Sequence, residues 1–372
     1  MKTFIRITVS LAVFALVAQS QTLTADITYS VTEIGTLPGT SIAFARDIND
    51  RGEIVGDSRD ASTSRFRAWV WDDGTMTPLG DLPGGAVESS ARSINNSGQI
   101  TGYSASSTGN RAFLWQSGSM SNLGTMSGAS RSEAYGINNH GHIVGESNPV
   151  GVRGFYRETT VMQDIGFLPG GLTDTTALGI NDSSQVVGNS STTSGGSNTR
   201  HAFRWEGGSM TDLGTLVGDT WSSAEAINAS GDVVGYSRDA AASHFSAFLW
   251  SGGSMIDLGE LAGGLEFSYA NDINNSGVVV GESRTADGLR AFVWDSTNGM
   301  RDLNTLLDGS GSGWTLVSAT GINRHGQIVG YGINPAGLTQ PFLLSPPNVV
   351  PEPGSAMVLA AFGSLMLRRR KR

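Results

Sequence analysis

The sequence contains no cysteine. That excludes disulfide scaffolds, cysteine-ligated zinc, iron–sulfur clusters and thiol nucleophiles together. Lysine occurs only twice, as Lys2 and Lys371, at the two ends. Charge is sparse as well: 15% of the 372 residues are charged, against roughly 25% in an ordinary soluble domain. Between residues 7 and 367 the chain holds 17 arginines against 33 acidic residues, a formal charge of −16. An acidic body without a basic stripe offers no electrostatic footprint for nucleic acid. No Gly-x-Ser-x-Gly elbow, phosphate loop or His-Glu-x-x-His pair occurs. Glycine, by contrast, fills 51 positions with no three-residue period. It is costly inside helices and suits short strands joined by tight turns. At 38% hydrophobic the chain has the means to bury a core.

The two ends read as addresses rather than fold. Lys2 and Arg6 precede the apolar run Ile7 to Ala18, and small residues follow at Ala18-Gln19-Ser20 and Leu23-Thr24-Ala25. This is the layout of a secretory signal peptide over residues 1–25, with cleavage expected after Ser20 or Ala25. At the other end, Pro351-Glu352-Pro353 is followed by the apolar stretch Ser355 to Leu367 and the block Arg368-Arg369-Arg370-Lys371-Arg372. Thirteen residues make about 20 Å of helix, short of the roughly 30 Å hydrocarbon core. These three features in order make residues 347–372 resemble the PEP-CTERM sorting signal of Gram-negative bacteria. The resemblance implies recognition by an exosortase-type processing enzyme through Pro351, Glu352, Pro353, Arg368, Arg369 and Arg370. It further implies transient inner-membrane anchoring and release to the cell surface or extracellular matrix.

Between them, over residues 26–346, one unit is written seven times. Its signature is Ile-Asn-x-x-Gly-x-Ile/Val-Val-Gly, with the asparagines at 49, 95, 138, 181, 228, 274 and 323. Three residues before each isoleucine stands an alanine: Ala45, Ala91, Ala134, Ala177, Ala224, Ala270 and Ala319. Two more segments travel with it. One is Ala-aromatic-x-Trp, as in Ala112-Phe113-Leu114-Trp115; the other is Met-x-Asp-Leu-Gly-x-Leu, as in Met210 to Leu216. The unit therefore reads as four short strands, with Asn-x-x-Gly making the first hairpin turn. Four strands per 43 to 49 residues fit a propeller blade better than a turn of parallel β-helix. The chain opens on a lone copy of the fourth segment, Tyr29 to Gly39, and its last repeat lacks that segment. The expected fold is an all-β, seven-bladed β-propeller closed by an N-terminal strand that completes the last blade. The seven alanines are expected on the innermost strand, at the centre where the blades converge. The repeated segments also resemble the HAF-repeat family of probable extracellular proteins, whose tripeptide stands here as His201-Ala202-Phe203. The resemblance implies an extracellular repeat protein and carries no catalytic residues with it.

Chemistry is harder to find. The repeated asparagines read as turn formers, and the repeated tryptophans as packing between blades. Asp50, Asp182 and Asp232 lie in some of these turns without the offsets of a calcium loop. His140 and His142 flank Gly141 but lack a third ligand; the carboxylates Asp72 and Asp73 read as a solvated turn. No cofactor, metal or catalytic residue is assigned. Departures from the repeat leave Trp221 and Trp314 as candidate stacking platforms for ligands such as sugars, beside the irregular loop Asp308 to Gly313. Two functions remain. One is a non-catalytic surface or matrix protein, a binding and display platform with extracellular polysaccharide among its partners. The other is a secreted carbohydrate-active enzyme, which a cluster of His, Tyr, Arg and carboxylates at one channel mouth would favour.

The tail gives the first prediction. The mature protein isolated from its native host is expected to lack residues 355–372, because the basic block holds that end on the cytoplasmic side while Pro351-Glu352-Pro353 reaches the processing enzyme. Intact-mass measurement decides it; a mass that still contains those residues leaves a tail-anchored protein instead.

Overall fold

The computed structural model describes residues 28–148, 151–171, 173–192 and 199–347. The signal peptide and the sorting residues Pro351, Glu352, Pro353, Arg368, Arg369 and Arg370 lie outside them. The described chain is all-β apart from two short 3₁₀ turns, Leu303–Leu306 and Gly309–Gly311.

The first unit shows the plan. Thr40–Ile48, Ile54–Asp60, Phe66–Asp72 and Thr75–Pro78 pair in sequence order, each antiparallel to the next. The order recurs through the following units, each repeat segment supplying the strand expected of it. Two neighbouring units are additionally joined by a single parallel bridge between Phe245 and Phe267. The last repeat contributes Thr315–Ile322, Ile328–Ile333 and Thr339–Ser345, and the lone strand Ser30–Glu33 supplies the fourth. Ser30 lies opposite Ser345 and Glu33 opposite Phe342. The irregular loop Asp308 to Gly313 holds this strand in place. Asp308 donates its amide to the Tyr29 carbonyl at 2.9 Å, and the Ser310 hydroxyl accepts the Val31 amide at 2.7 Å.

The core lies in the seams between units. Val55, Ala68 and Leu79 of the first unit pack with Ala91, Ile94, Ile100 and Phe113 of the second. The equivalent seam between the last and first repeats joins Val329 and Leu343 to Ala45, Ile54, Trp69 and Trp71. The aromatic of each Ala-aromatic-x-Trp segment is fully buried, as Trp69, Phe113, Phe155, Phe203, Phe248, Phe292 and Phe342. Each such side chain contributes about 1.5–3 kcal/mol of burial. Buried hydroxyls stitch the seams. Ser132 accepts the Ala112 amide at 2.9 Å and donates to the Gly124 carbonyl at 2.6 Å, and Ser222 does the same for Ala202 and Gly214.

Each Ile-Asn turn does two things. The Asn95 Oδ1 accepts the amides of Ser97 and Gln99, which closes the turn, while Gly98 takes φ +74°. Its Nδ2 donates to the Asn138 carbonyl of the next unit at 2.9 Å. The same bond runs from Asn49 to 95, from Asn138 to 181, from Asn181 to 228, from Asn228 to 274 and from Asn274 to 323. The seventh runs from Asn323 back to the Asn49 carbonyl at 3.1 Å. Asn334 forms the same kind of turn, but its Nδ2 donates to the Glu33 side chain instead.

That difference makes a controlled comparison. Both Asn95→Ala and Asn334→Ala remove a buried turn-closing amide. Only the first also strands a carbonyl in the neighbouring unit. Asn95→Ala is expected to cost on the order of 2–4 kcal/mol and to exceed Asn334→Ala by about 1 kcal/mol or more. Chemical denaturation of the two variants measures this; equal losses would mean the inter-unit bond contributes nothing.

Candidate functional site

The innermost strand of every unit carries an irregularity. Register shifts between Ala45 and Asp47, and at the matching place in each of the other units, leaving one extra residue on that strand. This is a β-bulge, which bends a strand and re-aims a side chain. The glycine ending Ile-Val-Gly is what makes room for it. A Cβ on Gly56 would strike the Phe44 carbonyl oxygen, and one on Gly188 the carbonyl oxygen of Thr176.

The bulge corrects one expectation from sequence. The first strands do line a central cavity, but their alanines do not. Each alanine is fully buried in a seam against the neighbouring unit, and the bulge turns the residue after it inward. Those residues are Arg46, Arg92, Tyr135, Leu178, Glu225, Asn271 and Thr320. All seven line one cavity of about 280 Å³, and all seven line the wider mouth above it, together with Glu282, Ser318 and Tyr331.

The mouth is electrically divided. Arg46 is held by Asp57, Nε to Oδ2 at 3.0 Å, and Asp57 also accepts from Ser90 at 2.7 Å. Arg92 lies next to it, with its guanidinium carbon 5.6 Å from the Tyr103 ring centre. The Tyr135 hydroxyl donates to Glu133 at 3.3 Å, and burial pushes its ionisation well above the usual phenol range. Across the opening stand Glu225, which accepts from Ser223 at 2.7 Å, and Asn271, which donates to the Ala319 carbonyl at 2.9 Å. Burial raises the pKa of both Glu225 and Glu282.

Below the mouth the wall is made of Asp47, Ser93, Gly136, Gly179, Ala226 and Asp272. The two aspartates bridge units. Asp47 accepts the Ile94 amide at 2.9 Å and the Ser93 hydroxyl at 2.8 Å, and Asp272 accepts the Ile322 amide at 2.8 Å. Neither meets a cation among the described residues. Burial first, and the charge of Asp47 second, push Asp272 up to about 7. Deeper still, Ile94, Ile137 and Ile180 separate this section from a polar chamber on the asparagine side.

The residues singled out in the sequence lie elsewhere. Trp221 stacks on Tyr236, with ring centres 5.2 Å apart, and carries Arg238 at 4.7 Å. Trp314 packs edge-on to Phe342 in a different unit, so the two tryptophans are not brought together. Trp221 instead joins a run of partly exposed rings formed by Tyr236, Phe245, Phe267 and Tyr269. Asp50 accepts from Asn96, Asp182 from Asn139 and Asp232 from Asn228, which assigns their oxygens to the turns. His142 lies 2.9 Å from the Tyr156 hydroxyl, His201 2.9 Å from Asp212 and His244 2.7 Å from Asp219; no histidine lines the mouth. The signal missing from the sequence analysis is the position directly after the repeated alanine. It carries six residue types in seven units, while the alanine before it and the Ile-Asn turn after it recur.

No family model and no curated relative matches the sequence. Solved structures do. Oligogalacturonate lyase in complex with manganese aligns with a TM-score of 0.53 at 10% identity, over 87% of this chain and 95% of that one. TolB from Acinetobacter baumannii aligns at 0.46 with 13% identity, over 79% of this chain and 63% of that one. Dipeptidyl peptidase 4 from Porphyromonas gingivalis aligns at 0.42 with 8% identity, over 82% and 53%. The chain thus spans less than two thirds of the length of the last two. At these identities the likeness is one of fold alone, and the fold is that of a β-propeller.

The buried aspartates make stability depend on pH. With its folded pKa near 7 and an ordinary unfolded value of about 3.8, Asp272 holds a proton in the folded state that the unfolded chain has released. Stability from this group is therefore full below pH 4 and is lost as pH rises through 7. Asp272→Asn removes the ionisation. Its stability deficit relative to the native protein is expected to shrink by about 3–4 kcal/mol between pH 4 and pH 8. Thermal or urea unfolding across that range checks the slope; parallel curves would show that Asp272 ionises normally.

Proposed function

We propose that this chain is an exported, non-catalytic binding platform, a seven-bladed β-propeller closed by its N-terminal strand, with a ligand site at the mouth of the central channel. The blade count and closure are supported by the seven repeats, the pairing of Ser30–Glu33 with Thr339–Ser345, and the bond from Asn323 to Asn49. The ligand site rests on one observation. Seven bulge residues of six types converge on one cavity, while the alanines, the Ile-Asn turns and the buried aromatics around them recur from unit to unit. Uniform positions build seams and turns. The varied ones face the solvent-filled mouth, where a rigid scaffold presents polar groups in fixed places.

Export and sorting follow from the termini. The leader would carry the acidic body across the inner membrane, and an exosortase-type enzyme would act at Pro351-Glu352-Pro353. The propeller would then stand at the cell surface or in its matrix, with extracellular polysaccharide the partner class to test first.

A second reading, a secreted carbohydrate-active enzyme on the same scaffold, is favoured by the mouth being charged rather than empty. Arg92 and Tyr135 on one wall face Glu225 on the other, and Glu225 is held toward its protonated form by burial. A glycan-array screen of the full-length protein, followed by product chromatography on each bound glycan, separates the two. Binding that falls at least tenfold in Tyr135→Ala and Asn271→Ala, with the glycan recovered intact, is the expected result. Glycan cleavage abolished by Glu225→Gln would put the enzyme in its place. Binding indifferent to all three substitutions would remove the mouth from the site.

A further inference from the structure

We infer that the mouth takes a small monoanionic hydroxy acid, of which a hexuronate is the representative, with its carboxylate on the Arg92 guanidinium. The inference rests on the mouth being the ligand site and goes on to name the chemical class that fits it.

Two arginines stand side by side at the mouth, and their situations differ. Arg46 is neutralised, its guanidinium bound to buried Asp57 through Nε at 3.0 Å and Nη2 at 3.4 Å. Arg92 has no carboxylate within salt-bridge distance among the described residues, and its Nε is buried without a hydrogen-bond partner. What it has is the face of Tyr103. A stacked guanidinium is held flat and keeps its edge free. The guanidinium lines the mouth with no carboxylate partner, and a carboxylate entering there offers it charge-assisted N–H···O bonds.

The surroundings narrow the anion. The opposite wall carries Glu225 and Glu282, and the section below carries Asp47 and Asp272. A dianion such as phosphate would meet one free cation and an acidic floor. A monoanion meets the same cation at half the repulsion. The remaining polar groups at the mouth are the Asn271 amide and the hydroxyls of Tyr135, Ser318, Thr320 and Tyr331. These pair with hydroxyl groups rather than with a second charge. The mouth encloses about 340 Å³, at the low end of the roughly 300–1,000 Å³ usual for small-molecule sites. It admits one sugar-sized unit rather than a chain, so a polymer would enter by an end or a side group.

The test titrates the full-length protein with glucuronate, glucose and inorganic phosphate by calorimetry, and follows the arginine Nε–H and backbone amide resonances of the ¹⁵N-labelled protein. Glucuronate is expected to bind at least tenfold more tightly than glucose or phosphate and to shift the Arg92 Nε–H resonance. Arg92→Gln is expected to reduce glucuronate binding to the level of glucose. Arg324→Gln, on the asparagine side of the channel, is expected to leave it unchanged. If Arg92→Gln fails to fold, the Nε–H shift in the native protein still decides. Glucose and glucuronate binding equally with shifts at Tyr135 would overturn the anion inference and keep the mouth as the site. Phosphate binding most tightly would overturn it in favour of a dianion. Absence of any shift at the mouth with all three probes would overturn both readings.

Discussion

One carbonyl oxygen per unit governs what the centre of this protein can present. The residue before each repeated alanine points its carbonyl at the strand beside it, and only a glycine there leaves it space. With glycine in place the first strand can hold one extra residue, and that residue turns inward instead of into a seam. The arrangement separates two demands that usually compete. Packing is handled by the alanines, the seam aromatics and the stitched hydroxyls. Presentation is handled by seven bulge residues, of which Asn271 and Thr320 reach the packing layer through carbonyls of the alanines. Arg46, Tyr135, Leu178 and Glu225 can therefore occupy equivalent places without disturbing a common fold.

The asparagine turns at the other end of the first strands complement this. Each amide serves its own turn with its oxygen and its neighbour with its nitrogen, so local and inter-unit structure share one side chain. Such coupling makes the units register against one another at the narrow end, where Ile94, Ile137 and Ile180 also meet. The mouth, by contrast, is held by side chains that differ from unit to unit. One end of the channel is specified by repetition and the other by variation.

Much of the architecture was legible because repetition amplifies weak signals. A single Ala-x-x-Ile or Asp-Leu-Gly says little; seven copies with a constant order define four strands and their sequence of pairing. The lone segment Tyr29 to Gly39 likewise announced its partner, and the irregular loop Asp308 to Gly313 proved to be the clamp on that strand. The asparagine turns were legible in their local half, since Asn-x-x-Gly is turn chemistry. Their second bond was not, because it joins residues 43 to 49 positions apart, and 274 apart from Asn323 to Asn49, in ways no single turn reveals. The alanines were misplaced for a related reason. Small residues suggested a crowded axis, whereas they answer to crowding in the seams. The bulge that decides between these is a backbone event with no residue type of its own except the glycine opposite. The mouth itself escaped notice because departures were sought among rare residues such as Trp221 and Trp314. The informative departures were ordinary residues at one fixed position.

The pairing of the first and last strands has a mechanical side. Ser30 faces Ser345, so the chain enters and leaves the seventh unit at the same end of one antiparallel pair. A pull applied between the two ends of the described chain would load those rungs one after another, as a zip is opened, and not all together in shear. The first resistance would come from the bonds that Asp308 and Ser310 make to Tyr29 and Val31. Anchored by one end only, the body transmits no tension through this joint and keeps its seams intact. Gripped at both ends, it would open at that single unit first, leaving the remaining units packed seam to seam.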